Sequence, residues 1–228
     1  MTPSRTIAIA PDPGVLTGAL TTRPPHPPGP AVSLLEPPPF ASWADLERAA
    51  LGCTKCPLSV TRTHVVFGVG DPHANLLFVG EGPGEQEDLS GEPFVGRAGR
   101  LLTGLIEDIG LTRSQVYIAN VVKCRPPGNR DPQPLEIDSC RPYLEAQVAF
   151  IEPRVVVTLG NFATKLLLDT KEGITKLRGR EFPFRDGAVL IPVFHPSAVL
   201  RNGGAALAEA RADFVTVKRA LVRASASS

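Results

Sequence analysis

The sequence predicts an α/β fold, a parallel sheet with helices on both faces, and three observations carry that reading. Short apolar runs recur along the chain, amphipathic segments separate them, and each run opens into a polar loop. The runs are Leu76-Leu77-Phe78-Val79, Val116-Tyr117-Ile118-Ala119, Val155-Val156-Val157-Thr158-Leu159 and Val189-Leu190-Ile191-Pro192-Val193-Phe194. They are almost continuously apolar, as strands buried on both faces should be. Alternation of such strands with helices implies parallel pairing. With 228 residues, 43% of them hydrophobic, the chain is long enough for one core and one domain.

Taken in order, residues 1–41 read as a disordered or polyproline-like leader. Eleven of the 24 prolines fall there, and proline lacks the amide donor that a helix or ladder needs. Order begins at Ser42, an N-cap for a helix over Trp43–Leu51. The folded domain is expected over 42–224. Helical segments are predicted near 97–109, 134–150, 161–168 and 205–222. The last places Leu207, Ala210, Phe214, Val217 and Leu221 on one stripe. The formal charge of +1 selects no partner class. No run approaches 18 apolar residues, so no membrane span is expected. Pro11, Pro13 and Gly14 break the one candidate export segment, so a cytoplasmic protein is expected.

The polar loops are where chemistry is expected, because ligands of open parallel sheets bind beyond the carboxyl ends of the strands. The first strand leads to Gly80-Glu81-Gly82-Pro83-Gly84-Glu85-Gln86-Glu87-Asp88, the second ends at Asn120, the third at Gly160-Asn161, and the fourth at His195-Pro196. The glycine loop lacks the Gly-Lys-Ser/Thr of a P-loop and fails the dinucleotide fingerprint at Glu85. Its acidic residues read either as a solvated face or as the first turn of a helix. Lys123, Arg125 and Arg130 read either as phosphate contacts or as solubilising surface charge.

All four cysteines fall in one pattern: Cys53-x2-Cys56, then 67 residues, then Cys124-x15-Cys140. Two close and two distant thiolates suit zinc or an iron–sulfur cluster, and spacing alone does not choose between them. Disulfides are disfavoured in a chain of this length without an export signal.

Together these segments resemble the family 4 uracil-DNA glycosylases, the iron–sulfur branch of that superfamily. The resemblance runs from about Leu51 to Asn202. It rests on the Cys53/Cys56 pair, Gly80–Glu85, Gly91-Glu92-Pro93-Phe94-Val95-Gly96, Asn120-Val121-Val122-Lys123-Cys124-Arg125-Pro126-Pro127, Cys140 and Phe194-His195-Pro196. It implies a three-layer α/β/α sandwich around a four-stranded parallel sheet. It also implies a structural [4Fe–4S] cluster on Cys53, Cys56, Cys124 and Cys140. The implied reaction is hydrolysis of the bond between uracil and deoxyribose, after the base leaves the stack for a snug pocket.

By the same resemblance Phe94 stacks on the flipped uracil, Asn120 reads its O4/N3 edge, and His195 donates to O2 as the uracil anion forms. Backbone amides around Gly82 support that anion. Glu81 and Glu87 are the carboxylates for positioning water or supporting the sugar cation, and Glu87 also stands to crowd the C5 position. The loop 196–201 resembles an intercalation loop, with Leu200 as its wedge and Arg201 on phosphate. In family 1 a water-activating aspartate follows Gly-Gln; here Gly82 stands at that position, so the resemblance supplies no general base. The expected partner is uracil-containing DNA, single- or double-stranded, met by a monomer. Two alternatives remain: a glycosylase of broader range that takes hypoxanthine, and a module that captures uracil-DNA without turnover. Against the second, the Arg-Arg-Ile-His insert of the covalent-trapping branch is missing after Cys124.

Overall fold

The computed structural model describes residues 39–226. The proline-rich leader expected over 1–41 therefore lies outside the described residues except for its last three. The chain begins its ordered course with α1 (Trp43–Leu51), capped by Ser42, whose side chain accepts from the Asp45 amide at 3.2 Å. A short α2 (Leu58–Thr61) and the edge strand β1 (Val69–Gly70) precede β2 (Leu76–Gly80). Then come α3 (Glu85–Ser90), α4 (Arg97–Asp108), β3 (Tyr117–Asn120) and α5 (Pro134–Ile151). They are followed by β4 (Val155–Leu159), α6 (Asn161–Leu168), α7 (Ile174–Leu177), β5 (Phe182–Pro183) and β6 (Val189–Val193). The chain closes with α8 (Pro196–Asn202) and α9 (Gly204–Ala226).

The sheet has six strands in the order β1-β3-β2-β4-β6-β5 and is mixed. The expectation was a central four-stranded parallel sheet, and the observed sheet is wider and mixed. The strands read from apolar runs, β3, β2, β4 and β6, pair in parallel, while β1 and β5 add antiparallel edges. Each edge strand is two residues long, too short to show any hydrophobic period. Short antiparallel edges also leave little unpaired ladder exposed.

Alternate residues of each strand serve opposite cores, as the pleat requires. Leu76, Phe78, Ile118, Val155, Val157 and Ile191 face α4 and α9, meeting Leu102, Ile106, Phe214 and Val217. Phe78 and Phe214 stack with centroids 5.8 Å apart. Leu77, Val79, Ala119, Val156 and Leu190 face α5 and α6, meeting Leu144, Val148, Ile151 and Ala163. Burial on both faces explains why the strands carry no polar alternation.

A third cluster places α1 against α5. Leu46, Ala50, Tyr143 and Ala146 are buried there, and Trp43 sets its ring edge-on to Phe67, Tyr117 and Phe150. This contact joins the segment that carries Cys53 to the helix that carries Cys140. The parallel strands run 3-2-4-6, so the chain reverses direction of sheet growth around β2. The crevice at such a switch point lies beyond the carboxyl ends of β2, β3 and β4.

Candidate active site

Four strand ends meet in that crevice. Gly80 closes β2 and is paired in register with Asn120, the last residue of β3. Gly160 follows β4, and His195 lies two residues beyond β6. A Cβ on Gly80 would collide with Asn120 Oδ1 and would lie 2.7 Å from Phe94 Cζ, so glycine alone lets these two side chains close around it. Gly160 takes φ +91°, and a Cβ there would stand 2.8 Å from His195 Cβ. Its carbonyl accepts from Thr164 Oγ1 at 2.7 Å, and Thr164 pairs with the buried Thr158, which fixes the turn beneath the histidine. The rings of Phe94 and His195 lie 5.7 Å apart, tilted by 36°. Asn120, Phe94 and His195 thus form one wall system.

Asn120 is 1% exposed. Its Oδ1 is buried without a hydrogen-bond partner among the described residues. A buried carbonyl left unpaired costs about 1–3 kcal/mol, so such an atom is an unused acceptor aimed at whatever enters. The backbone around it is firmly held: Val121 donates to the Gly80 carbonyl at 2.9 Å and Val122 to that of Glu81 at 3.1 Å.

His195 Nδ1 accepts from the Ser197 amide at 3.2 Å and lies 2.7 Å from Ser197 Oγ. A backbone N–H can only donate, so Nδ1 carries no proton and the neutral ring holds its proton on Nε2. Burial, reinforced by the Arg201 charge, pushes the imidazole down to about 4. The histidine is therefore a neutral Nε2–H donor at neutral pH. Behind it, the Arg178 guanidinium lies 4.9 Å from the centre of the Phe194 ring and pairs with Asp213 at 2.9 Å, bracing the strand end.

The carboxylates divide. Glu87 Oε1 accepts from Val95 and Gly96 amides at 3.0 and 3.2 Å, and Oε2 from Gly84 at 3.1 Å. It clamps the residues that immediately follow Phe94, which itself holds the unfavourable φ of 55°. Glu81 is half-buried, and burial followed by the neighbouring Asp131 carboxyl holds its pKa above the usual range. The acidic run after Gly84 is the first turn of α3, where negative charge suits the helix terminus. Gly82 is half-buried, with Val122 Cγ2 2.8 Å from where its Cβ would stand.

The segment after His195, expected as a loop, is the helix α8. Proline at its first position and the His195 side chain at its cap explain the difference. Leu200 is 42% exposed on it, and Arg201 is exposed beside it.

Lys123 corrects the sequence reading most sharply. Instead of meeting phosphate or solvent it is 1% exposed, and its ammonium donates to the Asn120 carbonyl at 2.8 Å and to Gln147 Oε1. Burial pushes it down to about 8. Arg130 is also engaged, in a two-pronged pair with the buried Glu136 at 2.6 and 2.9 Å. Arg125 bonds Asn129 at 2.7 Å.

Cys53, Cys56, Cys124 and Cys140 all line one cleft together with Arg62 and Lys123. None is in a disulfide. Among the described residues no three metal-ligating side chains crowd around a single point. Two N–H groups already point at sulfur: Arg62 Nη1 at 3.3 Å from Cys124 Sγ, and the Lys123 amide at 3.2 Å from Cys140 Sγ. Burial raises the Cys124 thiol and takes that of Cys140 to about 11. A four-thiol cleft already supplied with N–H donors to sulfur is chemically suited to a thiolate-bound group such as an iron–sulfur cluster.

Three sequence-predicted residues, Asn120, Phe94 and His195, are brought together, and the four cysteines form a second site beside them. Lys123, Gln147 and Asp131 were missed as site residues. Gln147 lies two helical turns beyond Cys140, a spacing that sequence alone reads as ordinary helix packing.

Comparison with protein families matches residues 67–220 to the uracil DNA glycosylase superfamily. The chain is 52% identical over 151 residues to a type-4 uracil-DNA glycosylase of Thermotoga maritima, covering 66% of this chain and 79% of that protein. It is 46% identical over 169 residues to the type-4 uracil-DNA glycosylase of Sulfurisphaera tokodaii, covering 71% and 77%. A third, from Archaeoglobus fulgidus, is 45% identical over 166 residues, covering 70% and 83%.

Proposed function

The chain belongs to the uracil DNA glycosylase superfamily, on its type-4 branch, and from that premise we propose how its pocket takes uracil out of DNA. The protein is a uracil-DNA glycosylase, a DNA-repair hydrolase acting on an N-glycosyl bond. The observation that carries the account is the buried, unpartnered Asn120 Oδ1 beside the Phe94 ring. Uracil presents an N3–H donor next to an O4 acceptor, and an asparagine amide answers both. Cytosine presents the reverse edge and would leave buried polar groups unpaired on both sides.

The flipped base stacks on Phe94, with its N3/O4 edge on Asn120 and its O2 toward His195 Nε2–H. As the glycosidic bond breaks, negative charge collects on the uracil ring and positive charge on the sugar. A neutral donor fixed by the Ser197 amide stabilises the anion without first giving up a proton, and preorganisation lets it do so without rearrangement. Amides around Gly82 add to this. Glu81, with Asp131 beside it, is the carboxylate assigned to the water and the sugar cation. We reassign Glu87 from the catalytic set to a positioning role, because its two oxygens are occupied by three backbone amides. Leu200 enters the gap left by the base, and Arg201 meets phosphate.

Cys53, Cys56, Cys124 and Cys140 would hold a [4Fe–4S] cluster. When bound, that group supplies a cross-link between the α1–α2 segment and the turn after Asn120. Base hydrolysis moves no electrons between substrate and protein, so the assigned role is structural. The protein works as a cytoplasmic monomer, with the domain running from residue 42 and the leader before it.

Excision assayed on matched oligonucleotides carrying U:G, U:A, T:G or hypoxanthine tests this reading. Free uracil is expected from both U substrates, and T:G and hypoxanthine are expected to stay intact. Release of hypoxanthine at a comparable rate would make the enzyme a glycosylase of broader range, because its N1–H/O6 edge suits the same asparagine amide, and retention of uracil-DNA without base release would contradict the enzyme.

A further inference from the structure

Lys123 is a charged side chain sealed in the core between the two sites. Its ammonium reaches the Asn120 carbonyl at 2.8 Å and Gln147 Oε1, both neutral acceptors. Its own backbone amide donates to Cys140 Sγ, and the next residue is Cys124. Gln147 is itself fully buried and spent, donating Nε2 to the Phe67 carbonyl at 2.9 Å and to the Tyr117 hydroxyl at 3.3 Å.

A buried ammonium with no carboxylate partner is costly, and neutral oxygens alone do not balance its charge. A methionine or leucine would fill the volume at no such cost. What the residue does here is hold the Asn120 peptide with its ammonium while its own backbone amide donates to Cys140 Sγ, so that one residue spans both sites. Asn120 ends its strand, and its carbonyl accepts from the Lys123 ammonium. Fixing that peptide fixes the direction in which the amide leaves the backbone.

We propose that Lys123 is a positioning residue that ties the cysteine site to the base-reading amide of Asn120, with Gln147 as its second anchor. It touches no substrate. The inference rests on the role given to Asn120, and it extends that role to a residue and a linkage outside the pocket. A displacement of the amide by even about 1 Å is worth on the order of 10²-fold in a preorganised site.

The test measures inhibition of the iron-loaded full-length enzyme by free uracil, beside single-turnover excision and iron content, in Lys123→Met, Gln147→Leu and Asn120→Ala. Lys123→Met is expected to weaken uracil inhibition by about tenfold or more in the folded fraction, and Gln147→Leu to weaken it less but in the same direction. Reduced iron retention is expected for Lys123→Met alone. Should Lys123→Met fail to fold, Gln147→Leu decides. Wild-type uracil inhibition in the variants, with loss confined to yield or melting temperature, would overturn the proposal and leave a structural lysine. If Asn120→Ala itself inhibits normally, the base-reading role falls and takes this inference with it. If only Asn120→Ala weakens inhibition, the base-reading role stands and the Lys123 linkage alone is refuted.

Discussion

Asn120 and His195 each owe their proposed role to a hydrogen bond, one missing and one present. Asn120 Oδ1 lacks a partner among the described residues, while His195 Nδ1 has the Ser197 amide and so must keep its proton on Nε2. The second fact sets a pH dependence. An unfolded histidine takes a proton near about 6.5, whereas this one does so only near 4. Between those values the unfolded chain binds the extra proton and the folded chain does not, so stability contributed here falls as pH drops through that window. The reactive neutral donor persists throughout it. Single-turnover excision is accordingly expected to show no histidine inflection between about pH 6 and 8, a profile that a rate titration reads directly. A limb centred near 6.5 that vanishes in His195→Gln would contradict the neutral-donor assignment. As polar residues ending apolar strands, both are visible in the sequence but ambiguous there, and only the resemblance to the family 4 enzymes gives them roles. Lys123 is not visible in this way: set between Val122 and Cys124-Arg125, it looks like one more surface cation, and only the packing of α5 against β3 removes it from water. Glu87 was half legible, since its carboxylate was noticed but its amide partners, eight and nine residues on, leave no side-chain signature.

At the scale of elements, the proposed function makes α8 the link between the chemistry and DNA. It starts on His195, which caps it, and five residues later presents the exposed Leu200. The same short helix therefore holds the His195 tautomer and carries the leucine proposed as the wedge. A wedge matters only where a partner strand would refill the gap, since unstacking is needed for duplex and largely prepaid in single strands. Leu200→Ala is expected to slow excision from U:A duplex by about tenfold while leaving single-stranded substrate within about twofold. Equal losses on the two substrates, measured side by side, would remove the wedge role. The main strands and long helices were readable from unbroken apolar runs and 3.6-residue stripes. The edge strands β1 and β5 are not, because two paired residues carry no pattern, and the loop expected at 196–201 rests on the resemblance to an intercalation loop, where the structure has α8.

For the molecule as a whole, the topology does what no single element does. Growth of the sheet to both sides of β2 brings the ends of β2, β3, β4 and β6 to one crevice, and each contributes one residue: Gly80, Asn120, Gly160 and His195. The convergence was foreseeable from polar loops after every strand, but the strand order was not, since sequence does not say which neighbour a buried strand will choose. The cysteine cleft sits on the α1–α5 side and reaches the pocket through the short span from Asn120 to Cys124. The central claim is that this pocket removes uracil by reading it with Asn120 and stabilising its anion with His195. Single-turnover excision from one U:G duplex by folded Asn120→Ala and His195→Ala tests it most directly. Each variant is expected to lose at least about 10²-fold in rate. A near wild-type rate in either would contradict the account.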